Sequence, residues 1–199
     1  MSDLPPRERT LVTLAVLLAV GCRDEADRLI RRTLKREIVS IKDASETILH
    51  LALLLGVPST LDALERLSHS AGAIPLTFFK PSHVRGKKTF LAVYGEQAPI
   101  VLKRLKAVSS FLPQWILRDV YGTVFSRPGL DFRTRELVTM TVLATQGLHK
   151  QFLSHVRGAH RANVAESEIL HWIAVAQNIS GRDLAYAKTI AARFLHGTS

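Results

Sequence analysis

The sequence predicts an all-α protein, and three observations support this fold class. Segments rich in Leu, Ala, Arg, Glu and Val favour helix over strand, and apolar residues make up 47% of the chain. The 11 Gly and 8 Pro fall mainly between these segments. One stretch of 25 residues also occurs twice in related form. We therefore expect a helical bundle built from two similar halves.

The internal repeat becomes visible when the sequence is shifted by 126 positions. Residues 7–31 then align with residues 133–157, and nine of the 25 positions are identical. After a short insertion, Ile48-Leu49-His50 matches Ile169-Leu170-His171, which extends the similarity into a third helix. Duplication of one helical unit is the simplest explanation.

Each copy is predicted to contain four helices joined by short connections, so that consecutive helices are antiparallel neighbours. The third and fourth helices are placed by capping residues and by apolar periodicity. The third helices are expected at 47–55, after Ser45 or Asp43, and at 169–176, after Glu166 or Ser167, and the fourth helices at about 60–68 and 181–195.

Composition divides the chain into three segments. Residues 1–70 form a degenerate N-terminal repeat, residues 71–128 a connection, and residues 129–199 the C-terminal repeat. The connection begins with several Gly and Pro residues, which indicate a loop. Two helices are expected within it, near 98–106 and 112–121.

Cys22 is the only cysteine, which excludes an intramolecular disulfide and any CxxC redox pair. It follows an apolar run that Arg7 and Arg9 precede, an arrangement that is similar to a bacterial lipoprotein signal. We reject this alternative because the same stretch recurs inside the chain as a predicted helix. We expect a soluble, cytoplasmic protein without a membrane span.

The formal net charge of +10 would attract anions from small carboxylates to nucleic acid. Nucleic-acid binding would use the basic helix 28–36, whose cations recur on one helical face. Acidic residues flank that cluster, no aromatic residue is interleaved, and no recognition motif is present. We therefore favour a small anionic ligand over nucleic acid.

The segment 121–147, YGTVFSRPGLDFRTRELVTMTVLATQG, is followed by His155-Val156-Arg157-Gly158-Ala159. Together these segments resemble the core of the γ-carboxymuconolactone decarboxylases. The resemblance implies an all-α fold of two alkylhydroperoxidase-like helical repeats in one chain. It also implies cofactor-free decarboxylation, or related acid–base chemistry, on a small lactone or carboxylic acid. A homo-oligomer, a trimer with a pseudo-hexameric shape, is expected on the same grounds.

The same superfamily contains alkylhydroperoxidase-like proteins, whose motif is a glutamate, a CxxC pair and a histidine. Glu136 and His155 occupy the outer positions of this motif, whereas Leu148 and Gln151 stand where the cysteines would be. Disulfide exchange requires two thiols, so peroxidase chemistry of the CxxC type is excluded.

His155 is the candidate acid–base residue, because a histidine exchanges protons near neutral pH. Glu136 precedes it by 19 residues on the preceding predicted helix, and antiparallel packing can bring the two side by side. In the first copy Thr10 and Leu29 replace them, so the candidate site lies in the second copy. The histidines lack the tight spacing of a metal site, and we predict neither metal nor cofactor.

The planar, permanently charged guanidinium group of arginine can hold a carboxylate in two parallel hydrogen bonds. The candidates are Arg127 in the Arg-Pro-Gly turn, Arg133 and Arg135 at the start of the next helix, and His171 on the third helix. Each of them could instead make an internal ion pair or a packing contact.

A catalytically inactive scaffold or binding protein is the alternative to an enzyme. It is favoured by two departures from the decarboxylase pattern, at residues 161–163 and in the third helix of the second copy. Glu136 and His155 favour the enzyme.

Overall fold

The computed structural model describes residues 5–197, and all regular structure within them is helical. The predicted all-α fold is confirmed. The helices are α1 (Pro6–Ala19), α2 (Arg23–Lys35), α3 (Ile41–His50), α4 (Ala52–Ala71), α5 (His83–Tyr94), a 3₁₀ turn (Gly95–Gln97), α6 (Ala98–Val108), α7 (Leu112–Trp115) with a π-helical continuation (Ile116–Phe125), α8 (Phe132–Thr145), α9 (His149–Arg161), α10 (Glu166–Ser180) and α11 (Ala185–Leu195).

The two repeats are recognisable in the helix boundaries. Helices α1 and α8 both have 14 residues, and α2 and α9 both have 13. Helices α8 and α9 begin 126 positions after α1 and α2, as the sequence alignment requires, and α10 begins 125 positions after α3. The predicted arrangement of two helical repeats is therefore confirmed.

The third helices begin earlier than expected. Helix α3 starts at Ile41 because Ser40 caps it: the Ser40 hydroxyl accepts from the Asp43 amide at 3.0 Å, and the Asp43 carboxylate accepts from the Ser40 amide at 2.9 Å. This reciprocal box satisfies two N–H groups at the helix end. Helix α10 likewise starts at Glu166. The predicted starts at 47 and 169 are wrong.

The first residues and the buried positions of α3 and α10 show which residues of the two helices are equivalent in the fold. Positions 44, 47, 48 and 51 are buried, and so are positions 169, 172, 173 and 176, which lie equally far from their helix starts. In this register His50 corresponds to Val175. The sequence match of His50 with His171 does not reflect equivalent positions in the fold.

The fourth helices also differ from their predicted limits. Helix α4 covers the expected 60–68 but extends from Ala52 to Ala71, with a break at Gly56, whose φ of 80° is a left-handed conformation. Helix α11 starts at Ala185 rather than at 181, because Gly181 and the residues that follow it end α10 and connect the two helices.

The described residues form two compact units. The first contains the residues up to Leu76 and those from Gly129 onward, so it holds both repeats. Its largest apolar cluster is formed mainly by α8, α9, α10 and α11 with part of α1. Every residue of α8 from Thr134 to Thr145 is buried, since α1, α3, α9 and α10 all contact this helix. Helix α8 is therefore the centre of the first unit.

The second unit comprises Thr77–Pro128 and contains α5, which sequence analysis missed. Helix α5 packs closely on the π-helical segment at two glycines. A Cβ on Gly86 would lie 1.6 Å from the Leu117 carbonyl oxygen, and one on Gly122 would lie 2.1 Å from the Ser82 carbonyl oxygen. The predicted helices near 98–106 and 112–121 are both present.

No helix among residues 5–197 combines the length and apolar character that crossing a bilayer would require.

Candidate acid–base site

Glu136 lies in the first turns of α8 and is completely buried, with 0% of its surface exposed. The helix is positioned by Asp131, whose carboxylate accepts from the Thr134 amide at 2.7 Å and caps the N-terminus. Because α8 is covered on all sides, the Glu136 carboxylate points into protein and not into solvent. Burial of a carboxylate requires polar partners, and the first of these comes from α9.

His155 on α9 is that partner. Its Nδ1 lies 2.9 Å from Glu136 Oε2, and only 6% of His155 is exposed. Helices α8 and α9 are joined by a short turn and pack against each other, so the 19-residue separation places the two side chains next to each other. We refer to Glu136 and His155 as the acid–base pair.

Gly158 makes room for the carboxylate. It lies one turn after His155 on α9, and a Cβ at this position would be 2.2 Å from Glu136 Oε2 and 2.6 Å from Glu136 Cδ. Any larger residue would displace the carboxylate. The glycine and the histidine of the segment His155–Ala159 thus shape one slot for Glu136.

Burial raises the pKa of Glu136 above its ordinary value of 4.5, and the nearby charges of His155 and Arg161 reduce this rise. Glu136 Oε1 has no hydrogen-bond partner among residues 5–197. A charged carboxylate with one unsatisfied oxygen is unfavourable in this environment, and the contact with His155 Nδ1 offsets part of this cost.

The 2.9 Å contact commits His155 Nδ1 to Glu136: either Nδ1–H donates to the carboxylate or a protonated carboxyl group donates to Nδ1. His155 Nε2, the nitrogen that does not bond Glu136, is thus the atom through which the pair can act as acid or base.

A second buried polar group lies on the same stretch of α8. His50 Nδ1 is 3.2 Å from Arg135 Nη1, and His50 Nε2 is 2.8 Å from the Thr139 hydroxyl. His50 and Arg135 are each only 1% exposed. Burial, followed by the positive charges of Arg135 and His155, holds the pKa of His50 well below its ordinary value of 6.5. His50 is therefore neutral.

Arg133 is engaged in internal ion pairs. Its Nε lies 2.9 Å from Glu8 Oε1 and its Nη2 lies 2.6 Å from Glu168 Oε1, so it connects α1, α8 and α10. The corresponding arginine of the first repeat, Arg7, binds Asp43 at 2.6 Å in the same manner. Asp43 and Glu168 are each the third residue of their helix, so the two ion pairs are equivalent in the duplicated fold.

The other two residues predicted to bind substrate lie in different surroundings. Arg127 belongs to the second unit, is buried, donates to the Thr77 carbonyl oxygen at 3.1 Å and lies 5.6 Å from the Phe79 ring centre. His171 is exposed on α10, with its ring edge against Trp172. The structure thus brings Glu136 and His155 together, places Arg135 beside His50, and does not place His171 in this cluster.

The first repeat lacks an acid–base pair. Thr10 takes the position of Glu136, and its hydroxyl donates to the Pro6 carbonyl oxygen at 2.9 Å. Leu29, at the position of His155, packs against the apolar cluster of the first repeat. Within residues 5–197 no three His, Cys, Asp or Glu side chains are arranged to hold a metal ion.

Sequence reasoning missed three contributors to this region. His50 was noted only for its match with His171, and neither Thr139 nor Gly158 was singled out as a candidate. The only available sequence signal was Gly158 in the segment His155–Ala159, since a glycine inside a helix often marks a close approach. The contacts of His50 join residues 85 and 89 positions apart, which no local pattern shows.

Comparison with known proteins agrees with this architecture. The profile of the Carboxymuconolactone decarboxylase family matches residues 2–68 and 113–193. Because the match covers most of both repeats, the chain belongs to this family. It is also 34% identical over 68 residues to a 4-carboxymuconolactone decarboxylase of Acinetobacter baylyi (strain ATCC 33305 / BD413 / ADP1), an alignment that covers 34% of this chain. The chain spans about half the length of that curated relative, 51%.

Proposed function

We propose that the protein is a cofactor-free acid–base enzyme that decarboxylates a small lactone acid or a related carboxylic acid. The observation that carries this proposal is the buried acid–base pair, with a 2.9 Å contact between His155 Nδ1 and Glu136 Oε2. Family membership and the name of the Acinetobacter relative supply the substrate class.

The chemistry fits a pair that transfers one proton. When the bond between the substrate carbon and its carboxylate breaks, CO₂ leaves and the electron pair moves into the conjugated lactone carbonyl. His155 Nε2–H then delivers a proton to the carbon, and the pair regains a proton from solvent. Glu136 orients the imidazole and compensates its charge, so we assign it as a positioning residue for His155.

The three arginines are not equivalent in this proposal. The guanidinium groups of Arg133 and Arg135 bind Glu8, Glu168 and His50, so they stabilise the fold around the site. A role for Arg127 in substrate binding stays a prediction, and so does one for His171. A raised KM with unchanged kcat in Arg127→Lys or His171→Ala would support such a role.

The test is CO₂ release from 4-carboxymuconolactone and from a panel of small lactone acids. We expect His155→Ala to lower kcat by about 10²–10⁴-fold, because it removes the group that transfers the proton. Glu136→Gln should lower kcat less, because it removes only the carboxylate that orients the imidazole. The matched control is His160→Ala, an exposed histidine on the same helix, which we expect to leave kcat within about twofold of wild type.

Thermal unfolding of each variant establishes that it is folded. Turnover that survives in folded His155→Ala would refute the assigned site. Binding of lactone acids without CO₂ release, in wild type, would favour the alternative of a binding member that has lost catalysis. That alternative has its own structural support, because Arg133 and Arg135 are occupied by internal contacts.

A further inference from the structure

His50 is a polar residue of the first repeat that is buried against α8 of the second repeat. It is the last residue of α3, and its two ring nitrogens contact Arg135 and Thr139, which are four residues apart on α8. Residues at this spacing lie one above the other on a helix, so a single imidazole bridges one full turn. Glu136 lies within that turn.

The hydrogen bonds define which nitrogen of His50 carries the proton. The Thr139 hydroxyl donates its one hydrogen to the Arg135 carbonyl oxygen at 2.8 Å, so it can only accept from His50. His50 Nε2 therefore carries a hydrogen and donates it to Thr139. His50 Nδ1 must then accept, and Arg135 Nη1–H, which can only donate, is its partner. The three groups form one consistent set with a neutral imidazole.

The position of this turn matters to the acid–base pair because the slot for Glu136 is narrow. Space for its carboxylate exists only because position 158 has no Cβ, and one oxygen must also meet His155 Nδ1 at 2.9 Å. A displacement of the turn by a fraction of an ångström would strain one of these contacts or lengthen the other. Enzyme sites lose much of their activity when a catalytic group is misplaced by about 1 Å.

We propose that His50 is a positioning residue for the Glu136–His155 pair: by bridging Arg135 and Thr139 it fixes the turn of α8 that carries Glu136. The first repeat, which has no acid–base pair of its own, thereby supports the site of the second. The effect on turnover rests on the function proposed above, whereas the effect on the Glu136–His155 hydrogen bond does not.

The experiment compares three substitutions of the bridge. His50→Leu introduces an apolar side chain of similar size and removes both hydrogen bonds. His50→Gln keeps an acceptor for Arg135 and a donor for Thr139. Thr139→Val removes one contact at nearly constant volume, and it keeps the proposal testable if His50→Leu does not fold. Ile48→Ala is the control, since Ile48 is buried on the same helix but packs in the apolar cluster of the first repeat.

Two measurements are made on each variant. The first is the NMR signal of the His155 Nδ1–H proton in protein with ¹⁵N-labelled histidine, which reports the bond to Glu136 and needs no substrate. The second is kcat and KM for the lactone acid. We expect His50→Leu to lose or shift the His155 signal and to lower kcat by about tenfold or more with little change in KM. His50→Gln should recover both to within about threefold, and Ile48→Ala should change stability only.

The outcomes separate this proposal from the previous one. An unchanged His155 signal in folded His50→Leu and in Thr139→Val would overturn the positioning role, whatever the activity. An altered signal supports it even if no lactone acid is turned over, in which case only the proposed function fails. Equal effects of Ile48→Ala and His50→Leu on the signal would show that general loss of packing, and not the bridge, is responsible.

Discussion

Replacement of His50 should change how the stability of the protein depends on pH. In the folded state burial and the charges of Arg135 and His155 hold the pKa of His50 well below 6.5, so the imidazole stays neutral. In the unfolded chain it takes up a proton as the pH falls through about 6.5. The unfolded state then binds more protons than the folded state, so the free energy of unfolding decreases as the pH is lowered.

The magnitude follows from the ordinary pKa and the pH interval. At pH 7.5 protonation of His50 in the unfolded chain contributes almost nothing. At pH 5.5, about one unit below the ordinary pKa of histidine, it favours unfolding by about 1.4 kcal/mol. His50→Gln has no such proton. Between pH 7.5 and 5.5 the wild type should therefore lose about 1.4 kcal/mol more stability than the variant.

The assay is urea denaturation of both proteins at the two pH values, monitored by circular dichroism. The result is the loss of unfolding free energy between pH 7.5 and 5.5 in wild type minus the same loss in His50→Gln. Glu136 has a raised pKa, so its own contribution has the opposite sign: stability falls as the pH rises above about 4.5. It is present in both proteins and cancels. Equal losses in wild type and His50→Gln would refute the deduction that His50 is buried in the neutral form.

Three further substitutions have expected outcomes. Gly158→Ala places a methyl group 2.2 Å from Glu136 Oε2, so we expect a loss of about 1–3 kcal/mol in urea denaturation and a shifted His155 Nδ1–H signal; retention of both would contradict the slot. Arg133→Ala breaks the ion pairs with Glu168 and α1 and should destabilise by about 1.5–3 kcal/mol without raising KM, and a raised KM at unchanged stability would instead indicate substrate contact. Gly86→Ala would force a Cβ to 1.6 Å from a backbone oxygen of the facing helix, so limited proteolysis should cleave within Thr77–Pro128 faster than in wild type.

The elements that sequence analysis predicted well are those with a repeated local signal. The 25-residue repeat, whose copies lie 126 positions apart, predicted α1, α2, α8 and α9, and the spacing within the second copy predicted that Glu136 lies beside His155. The start of α3 was missed although Ser40 and Asp43 stand three residues apart, the spacing of a capping box. The Pro- and Gly-rich opening of the connection led us to miss α5, because Gly86 there serves close packing and not a turn.

The partners of buried charges could not be predicted, since they lie far apart in the sequence. Arg133 was a candidate for carboxylate binding and does bind carboxylates, but these are Glu8 and Glu168 of the same chain. An arginine in a helix start offers the same donors to an internal or an external carboxylate. Only the three-dimensional positions decide between them.

Helix α8 is buried on all sides, so its polar side chains depend on partners from both repeats. Glu136, in the first turns of this buried helix, needs a polar partner on one side of α8 and a fixed backbone on the other, because solvent can supply neither. Helix α9 of the same repeat supplies the first as His155, and α3 of the other repeat lies against α8 where the second is needed. The first repeat has Thr10 and Leu29 at the corresponding positions, where Thr10 bonds its own helix and Leu29 packs as an apolar side chain. Loss of His50 would leave the buried Arg135 cation without its acceptor on α3, so we expect the first repeat to tolerate change at Thr10 and Leu29 far better than at His50.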